Sequence, residues 1–138
     1  RVLSLLDYDL IRANPKIFVG FSDVTGFLSS MAQRSGLVTF HGPMLTTYGR
    51  ETVSYNLEVF FRLLSGENSI RIDSPGGCRA RVLKAGTACG PLWGGNLSLV
   101  EERLGTPGQI DTRGAILFLE EIDERQHAFD RMMIHLKE

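Results

Sequence analysis

Ser22 is the residue in this chain best placed to act as a nucleophile. An apolar run, Lys16-Ile17-Phe18-Val19, leads into Gly20-Phe21-Ser22-Asp23. The run reads as a buried strand. After it, Val24, Phe27, Leu28, Met31 and Ala32 recur at helical spacing. Ser22 then falls at a tight strand-to-helix turn, with its hydroxyl raised above the first helical N–H groups. That is the geometry of a nucleophile elbow. An oxyanion formed there would meet backbone donors and the positive end of a helix dipole. The motif departs from the usual elbow in one place. The second glycine, two residues after the serine, is Val24 here, and the next glycine is Gly26. A reading without chemistry fits the same residues, since Ser and Asp are also favoured helix caps.

A serine nucleophile needs a base and a carboxylate that orients the base. Ala115-Ile116-Leu117-Phe118-Leu119 is an apolar strand that runs into Glu120-Glu121. Glu120 and Glu121 are the carboxylate candidates, with an exposed loop acid as the alternative reading. Glu120 continues the strand, on the face opposite Leu119, which favours it as the carboxylate, and Glu121 fits the loop acid better. His41, in His-Gly-Pro, follows a second apolar strand. It reads either as a partner facing Ser22 across the sheet edge or as a structural histidine bonded to nearby backbone. His127 and His135 read as solvent-facing. Gly94-Gly95-Asn96 precedes a helix and could present N–H groups to an anion, or could be a turn capped by Asn96.

The elements that must hold these residues follow from periodicity. Leu3, Leu6, Leu10 and Ile11 predict a short helix ending before Asn14-Pro15. The helix after Ser22 ends at Gly36, a left-handed cap. Leu37-Val38-Thr39-Phe40 predicts a second strand. Strand, helix and strand make a βαβ unit with a parallel sheet, whose ligands bind at the carboxyl ends of strands. Glu51 to Ser65 predicts a helix, and Gly66 to Gly77 a connector. Arg79 to Ala88 alternates Ala80, Val82 and Ala85 with charge and predicts an edge strand. Gly90 to Asn96 predicts a glycine-rich turn, followed by a helix through Leu97, Val100 and Leu104. Thr106 to Gly114 predicts a loop. A last helix carries Phe129, Met132, Met133 and Leu136 on one face, read as core.

With 138 residues, 43% hydrophobic, 22% charged and a formal net charge of −1, the composition is that of an ordinary globular protein. The charge gives no case for nucleic acid or an anionic membrane, and no apolar run is long enough to span one. The chain begins at Arg1, which suggests an internal piece of something longer. Cys78 and Cys89 predict reduced thiols in a cytoplasmic protein. The glycines match no dinucleotide or phosphate-loop fingerprint, and no residues have metal-ligand spacing. No cofactor and no metal are expected.

Seven segments occur in order: Ile11-Arg12-Ala13-Asn14-Pro15-Lys16, Gly20-Phe21-Ser22-Asp23, Thr39-Phe40-His41-Gly42-Pro43, Gly94-Gly95-Asn96-Leu97, Leu104-Gly105-Thr106-Pro107, Leu117-Phe118-Leu119-Glu120 and Asp130-Arg131-Met132. Together they resemble the LD-carboxypeptidase family, which includes muropeptide LD-carboxypeptidases and microcin C self-immunity peptidases. The resemblance implies a Ser-Glu-His serine peptidase. Ser22 matches the nucleophile, Glu120 the triad carboxylate and Asp23 N–H an oxyanion donor. Gly95 and Asn96 match part of the pocket for the substrate's terminal carboxylate. His41 matches a motif that is not the triad base. The triad histidine and the second oxyanion donor are expected outside these residues.

The implied fold is α/β. It is the back half of a flavodoxin/Rossmann-like parallel-sheet domain joined to the front half of a second, swivelling-type α/β domain. The implied division is 1–50 for the first part, 51–78 for a helix and connector, and 79–138 for the second part. The implied reaction releases D-alanine from murein tetrapeptides in cell-wall recycling. Cleavage of peptidyl or aminoacyl adenylates is the alternative within the family, with Trp93 available to stack on a base. A non-catalytic binding module, with Ser22 a mere cap, is the alternative outside it. A homodimer is allowed. Two half-domains alone would leave sheet edges and apolar faces uncovered, so the isolated segment is expected to be marginally stable and inactive.

Overall fold

The computed structural model describes residues 2–47, 53–74 and 79–138. Cys78, the first residues of the helix expected from Glu51 and the end of the connector at Gly77 lie outside them. The chain forms two compact units, one of Arg1–Gly42 with Cys89–Glu138, the other of Pro43–Ala88.

The first unit carries the α/β architecture. A 3-10 turn at Val2–Leu5 precedes helix α1 (Tyr8–Ala13), so the single helix expected there is divided. Asp7 divides it, because its carboxylate accepts from Leu10 N–H and caps a fresh helix start. Strand β1 (Phe18–Gly20), helix α2 (Thr25–Ser35) and strand β2 (Thr39–His41) form the expected βαβ unit. The strands pair in parallel, Gly20 opposite His41. Gly36 closes α2 at φ 73°, a conformation open to glycine at little cost.

Strands β3 (Leu92–Asn96) and β4 (Ile116–Glu120) form a second parallel pair, with Asn96 opposite Glu120. Here the expected glycine-rich turn is corrected, since Gly94 and Gly95 lie inside a strand. The reason is close approach. A Cβ on Gly94 would sit 1.7 Å from the Phe118 carbonyl oxygen across the ladder, and Gly94 holds φ 138°. Helix α4 (Leu97–Glu101) follows β3 directly and is shorter than expected.

Helix α2 packs on β1, β2 and β3. Its buried serines are satisfied within the helix, Ser29 Oγ donating to Thr25 O at 2.9 Å and Ser35 Oγ to Met31 O at 2.6 Å. The Arg103 guanidinium ties α2 to the chain after α4, donating to Ser30 Oγ and to Gly108 O, each at 2.8 Å. Leu28, Met31, Leu97, Val100, Ile110 and Met132 make the apolar core.

Helix α5 (Gln126–Lys137) packs on α4. Its apolar stripe is core only in part. Met132 is buried, Leu136 is half-buried, and Phe129 and Met133 are exposed. The packing on α4 covers a narrower band than a sheet face would.

The second unit is built around helix α3 (Ser54–Leu64), which buries Val59 and is closed by Gly66 at φ 82°. The edge strand expected over Arg79–Ala88 is absent among the described residues. Val82 and Leu83 are exposed there, so the alternation had no sheet face to serve. Among the described residues no helix is long and apolar enough to cross a membrane.

Candidate active site

All four strands of the first unit deliver a residue of interest at or just past their carboxyl ends. Ser22 follows β1, His41 ends β2, Asn96 ends β3 and Glu120 ends β4.

The corner at Ser22 is sharp. Ser22 has φ 48°, a left-handed conformation uncommon outside glycine and worth noting at a functional position. Gly20 makes the corner fit, because a Cβ there would lie 2.4 Å from Val24 Cγ1. A short 3-10 turn, Ser22–Val24, precedes α2, with Val24 N–H donating to Phe21 O. Hydrogen bonding inside the turn thus begins at Val24, with Asp23 N–H ahead of it. Neither the 3-10 turn nor α2 has a side-chain cap. The capping reading of Ser22 and Asp23 is therefore corrected. The left-handed φ at Ser22 replaces the extended conformation that a capping residue adopts.

Glu120 and His41 meet. His41 Nε2 lies 3.9 Å from Glu120 Oε1, with the two side chains 17% and 24% exposed. The imidazole is held between two rings, Phe21 at 5.3 Å and Phe118 at 5.0 Å. Phe118 and Glu120 are two residues apart on β4 and so share a face. Both ring nitrogens of His41 and Oε1 of Glu120 are buried without a hydrogen-bond partner. The structural-histidine reading, in which His41 bonds backbone, is therefore not what the chain adopts. Burial pushes the His41 pKa below its ordinary value, and the Glu120 charge opposes that shift.

Asn96 and Glu121 have structural work. Asn96 N–H donates to the fully buried Thr25 Oγ1 at 2.9 Å. Asn96 Oδ1 caps α4, accepting from Leu99 N–H at 3.2 Å and from Ser98 Oγ at 2.7 Å. Its Nδ2 donates to Glu121 Oε1 at 3.1 Å. Glu121 also accepts from Ser98 N–H and Ile122 N–H, each at 3.0 Å. It is thus a half-buried anchor rather than the exposed loop acid expected. Burial would raise its pKa, but the Ile122 and Ser98 N–H groups and the Asn96 amide outweigh that and hold it below the ordinary carboxylate range. Gly95 is packed against α2, and a Cβ there would lie 2.4 Å from Thr25 Oγ1. His135 is exposed and pairs with Glu101 at 2.6 Å, and His127 is exposed. Cys89 is a free, exposed thiol. Among the described residues no three His, Cys, Asp or Glu side chains converge on a metal-sized site.

The family comparisons fall on the same unit. The model of the LD-carboxypeptidase N-terminal domain matches residues 1–42, and that of the LD-carboxypeptidase C-terminal domain matches residues 89–138. The chain belongs to the LD-carboxypeptidase family. The two matched stretches are those that pack together in the first unit, and residues 43–88 between them form the second. Over 141 aligned residues the chain is 44% identical to a probable murein peptide carboxypeptidase of Bacillus subtilis, covering 99% of this chain and 43% of the relative. Among solved structures it is similar to an MccF-like protein from Bacillus anthracis, with TM-score 0.81, 30% identity, and coverage of 98% of this chain and 48% of the other. It is also similar to a muramoyltetrapeptide carboxypeptidase from Oxalobacter formigenes, with TM-score 0.74, 33% identity, and coverage of 98% and 45%. The chain thus spans less than half the length of these LD-carboxypeptidase relatives.

Proposed function

We propose that the whole protein is a serine-type LD-carboxypeptidase that releases terminal D-alanine from murein tetrapeptides recovered into the cytoplasm. The observation that supports this best is the corner at Ser22. A hydroxyl in a left-handed turn, free of any capping duty, stands at the carboxyl end of a parallel strand, in the same unit as a carboxylate ending β4.

In this reading Ser22 Oγ attacks the carbonyl joining the L-centre of a diaminopimelate or lysine residue to D-alanine. An imidazole takes the Ser22 proton, and Glu120 orients that imidazole. Asp23 N–H stabilises the oxyanion. Collapse of the tetrahedral intermediate transfers the proton to the leaving amine of D-alanine and leaves an acyl-serine, which water hydrolyses. The catalytic imidazole is assigned to a part of the whole protein beyond Arg1–Glu138, so these residues alone are proposed to be inactive. Gly95 and Asn96 are proposed to shape the substrate side of the corner through the Thr25 contact, since Asn96 N–H and its side-chain amide already have partners within the chain.

The test is hydrolysis of murein tetrapeptide by the intact protein, with Ser22→Ala and Glu120→Gln beside the wild type. Release of D-alanine that is abolished by Ser22→Ala, in a variant that still folds, supports the proposal. Unchanged hydrolysis in Ser22→Ala removes it and favours a binding module.

MccF structures carry glutamyl sulfamoyl guanosine or aspartyl sulfamoyl adenosine. An aminoacyl-adenylate substrate is therefore assayed in parallel, with half-buried Trp93 as the ring to test. The murein reading is preferred on sequence identity alone: 44% over 99% of the chain to the B. subtilis relative, against 39% over 49% of it to the Escherichia coli microcin C7 self-immunity protein, whose solved structures match 99% of the chain at 28% identity.

A further inference from the structure

His41 lies outside the triad described above, yet its position is specific. It ends β2, Gly20 is its partner in the ladder, and its ring fills the slot between Phe21 and Phe118. Its Nε2 points at Glu120 Oε1 across 3.9 Å, too long for a hydrogen bond and about 1 Å from being one. Three polar atoms are buried there without partners, and two of them, Nε2 and Oε1, face each other. A slot that served packing alone would be better filled by a purely apolar ring, because unpartnered buried polar groups destabilise the fold.

We propose that His41 is a positioning residue for the peptidase reaction: with the 3.9 Å gap shortened by about 1 Å, its neutral imidazole donates from Nε2 to Glu120 Oε1. That bond fixes the rotamer of Glu120 and leaves the other carboxylate oxygen for the catalytic imidazole. The proposal rests on the serine-peptidase reading above. Burial favours the neutral ring, as the role requires. Glu120 on β4 is the one ionisable side chain within ion-pair reach of His41 among the described residues. The two rings against the imidazole, Phe21 and Phe118, are apolar.

The experiment uses the intact protein and murein tetrapeptide. His41→Phe keeps an aromatic ring in the slot and removes the donor. It is expected to lower kcat about 100-fold, the loss that a misplaced reacting group brings, with KM unchanged. His41→Gln restores a side-chain N–H and is expected to recover part of kcat. Two results overturn the proposal. One is His41→Phe with wild-type kcat, which would make the slot a packing feature. The other is His41→Phe as inactive as Ser22→Ala, which would make His41 the base itself.

A readout independent of turnover is the titration of the His41 ring, followed by NMR in wild type and in Glu120→Gln. The His41 pKa is expected to fall when the Glu120 charge is removed. Identical titration in the two proteins overturns the pairing whatever the activity. If Ser22→Ala still hydrolyses peptide, the serine-peptidase reading fails, and the titration still decides whether His41 and Glu120 are coupled.

Discussion

Replacing Gly95 by alanine puts a methyl where the structure has none to spare. The new Cβ would lie 2.4 Å from Thr25 Oγ1, 2.6 Å from Thr25 Cγ2 and 3.0 Å from Thr25 Cβ. Thr25 is fully buried at the start of α2 and cannot swing into solvent. Gly95 also holds φ 133°, where an L side chain is strained. Strain of that kind costs about 1–3 kcal/mol. Overpacking adds about 1–3 kcal/mol. Moving Thr25 aside also strips Asn96 N–H of its partner, a further loss of about 1–3 kcal/mol. These terms overlap, so Gly95→Ala is expected to lower unfolding free energy by roughly 3–6 kcal/mol. The assay is denaturant unfolding of the intact protein, run as a double-mutant cycle with Thr25→Ala. Thr25→Ala alone removes the hydroxyl and is expected to cost about 1–3 kcal/mol. In the double variant the worst overlaps are gone, so its loss should fall short of the sum by at least about 1 kcal/mol. Strict additivity, or a loss below about 1 kcal/mol for Gly95→Ala, would refute the close packing of β3 against the Ser22 helix.

Two further outcomes follow from the same unit. Asn96→Ala removes the α4 cap and the amide donated to Glu121, and is expected to destabilise the intact protein by about 1–2 kcal/mol in denaturant unfolding. A stability change near zero would contradict the capping role. His41 has a folded pKa below its ordinary value of 6.5, so the unfolded chain binds more protons at mildly acidic pH. Its contribution is full above pH 6.5 and is lost as pH falls toward the folded pKa. Unfolding midpoints should therefore drop over that interval in wild type and less in His41→Phe, and equal pH dependence would count against the burial of the ring.

Much of the Ser22 region was legible in the sequence. An apolar run, a glycine, a serine and a helical period each point to one local structure, and the turn between them has few alternatives. Strand β3 was not legible, because Gly90, Gly94 and Gly95 beside Pro91 carry the composition of a turn. Their actual use is close approach to Gly114, to Phe118 on β4 and to Thr25 on α2, which depends on what lies across from them. The reverse error occurred at Arg79–Ala88, where alternation predicted a strand that pairs with nothing among the described residues. Burial of α5 was overestimated for a related reason. An apolar stripe records what a helix can bury, and only Met132 is buried against its neighbours here.

The candidate site divides in the same way. Ser22 and Glu120 could be picked out, because each follows directly from an apolar strand end. The His41–Glu120 contact and the anchoring of Glu121 by Asn96 and Ser98 depend on parallel registers between segments far apart in sequence. One signal was available. Phe118 and Glu120 sit two apart on a strand and must face the same way, so whatever ring packs on one lies near the other.

The most direct measurement is covalent labelling of the intact protein with a fluorophosphonate, a reagent that traps activated serines, followed by peptide mass spectrometry. A serine held at an activated corner predicts a single adduct on the peptide containing Ser22, suppressed by murein tetrapeptide. An adduct on another serine, or none on a folded and hydrolytically active protein, would contradict the assignment of Ser22 as the nucleophile.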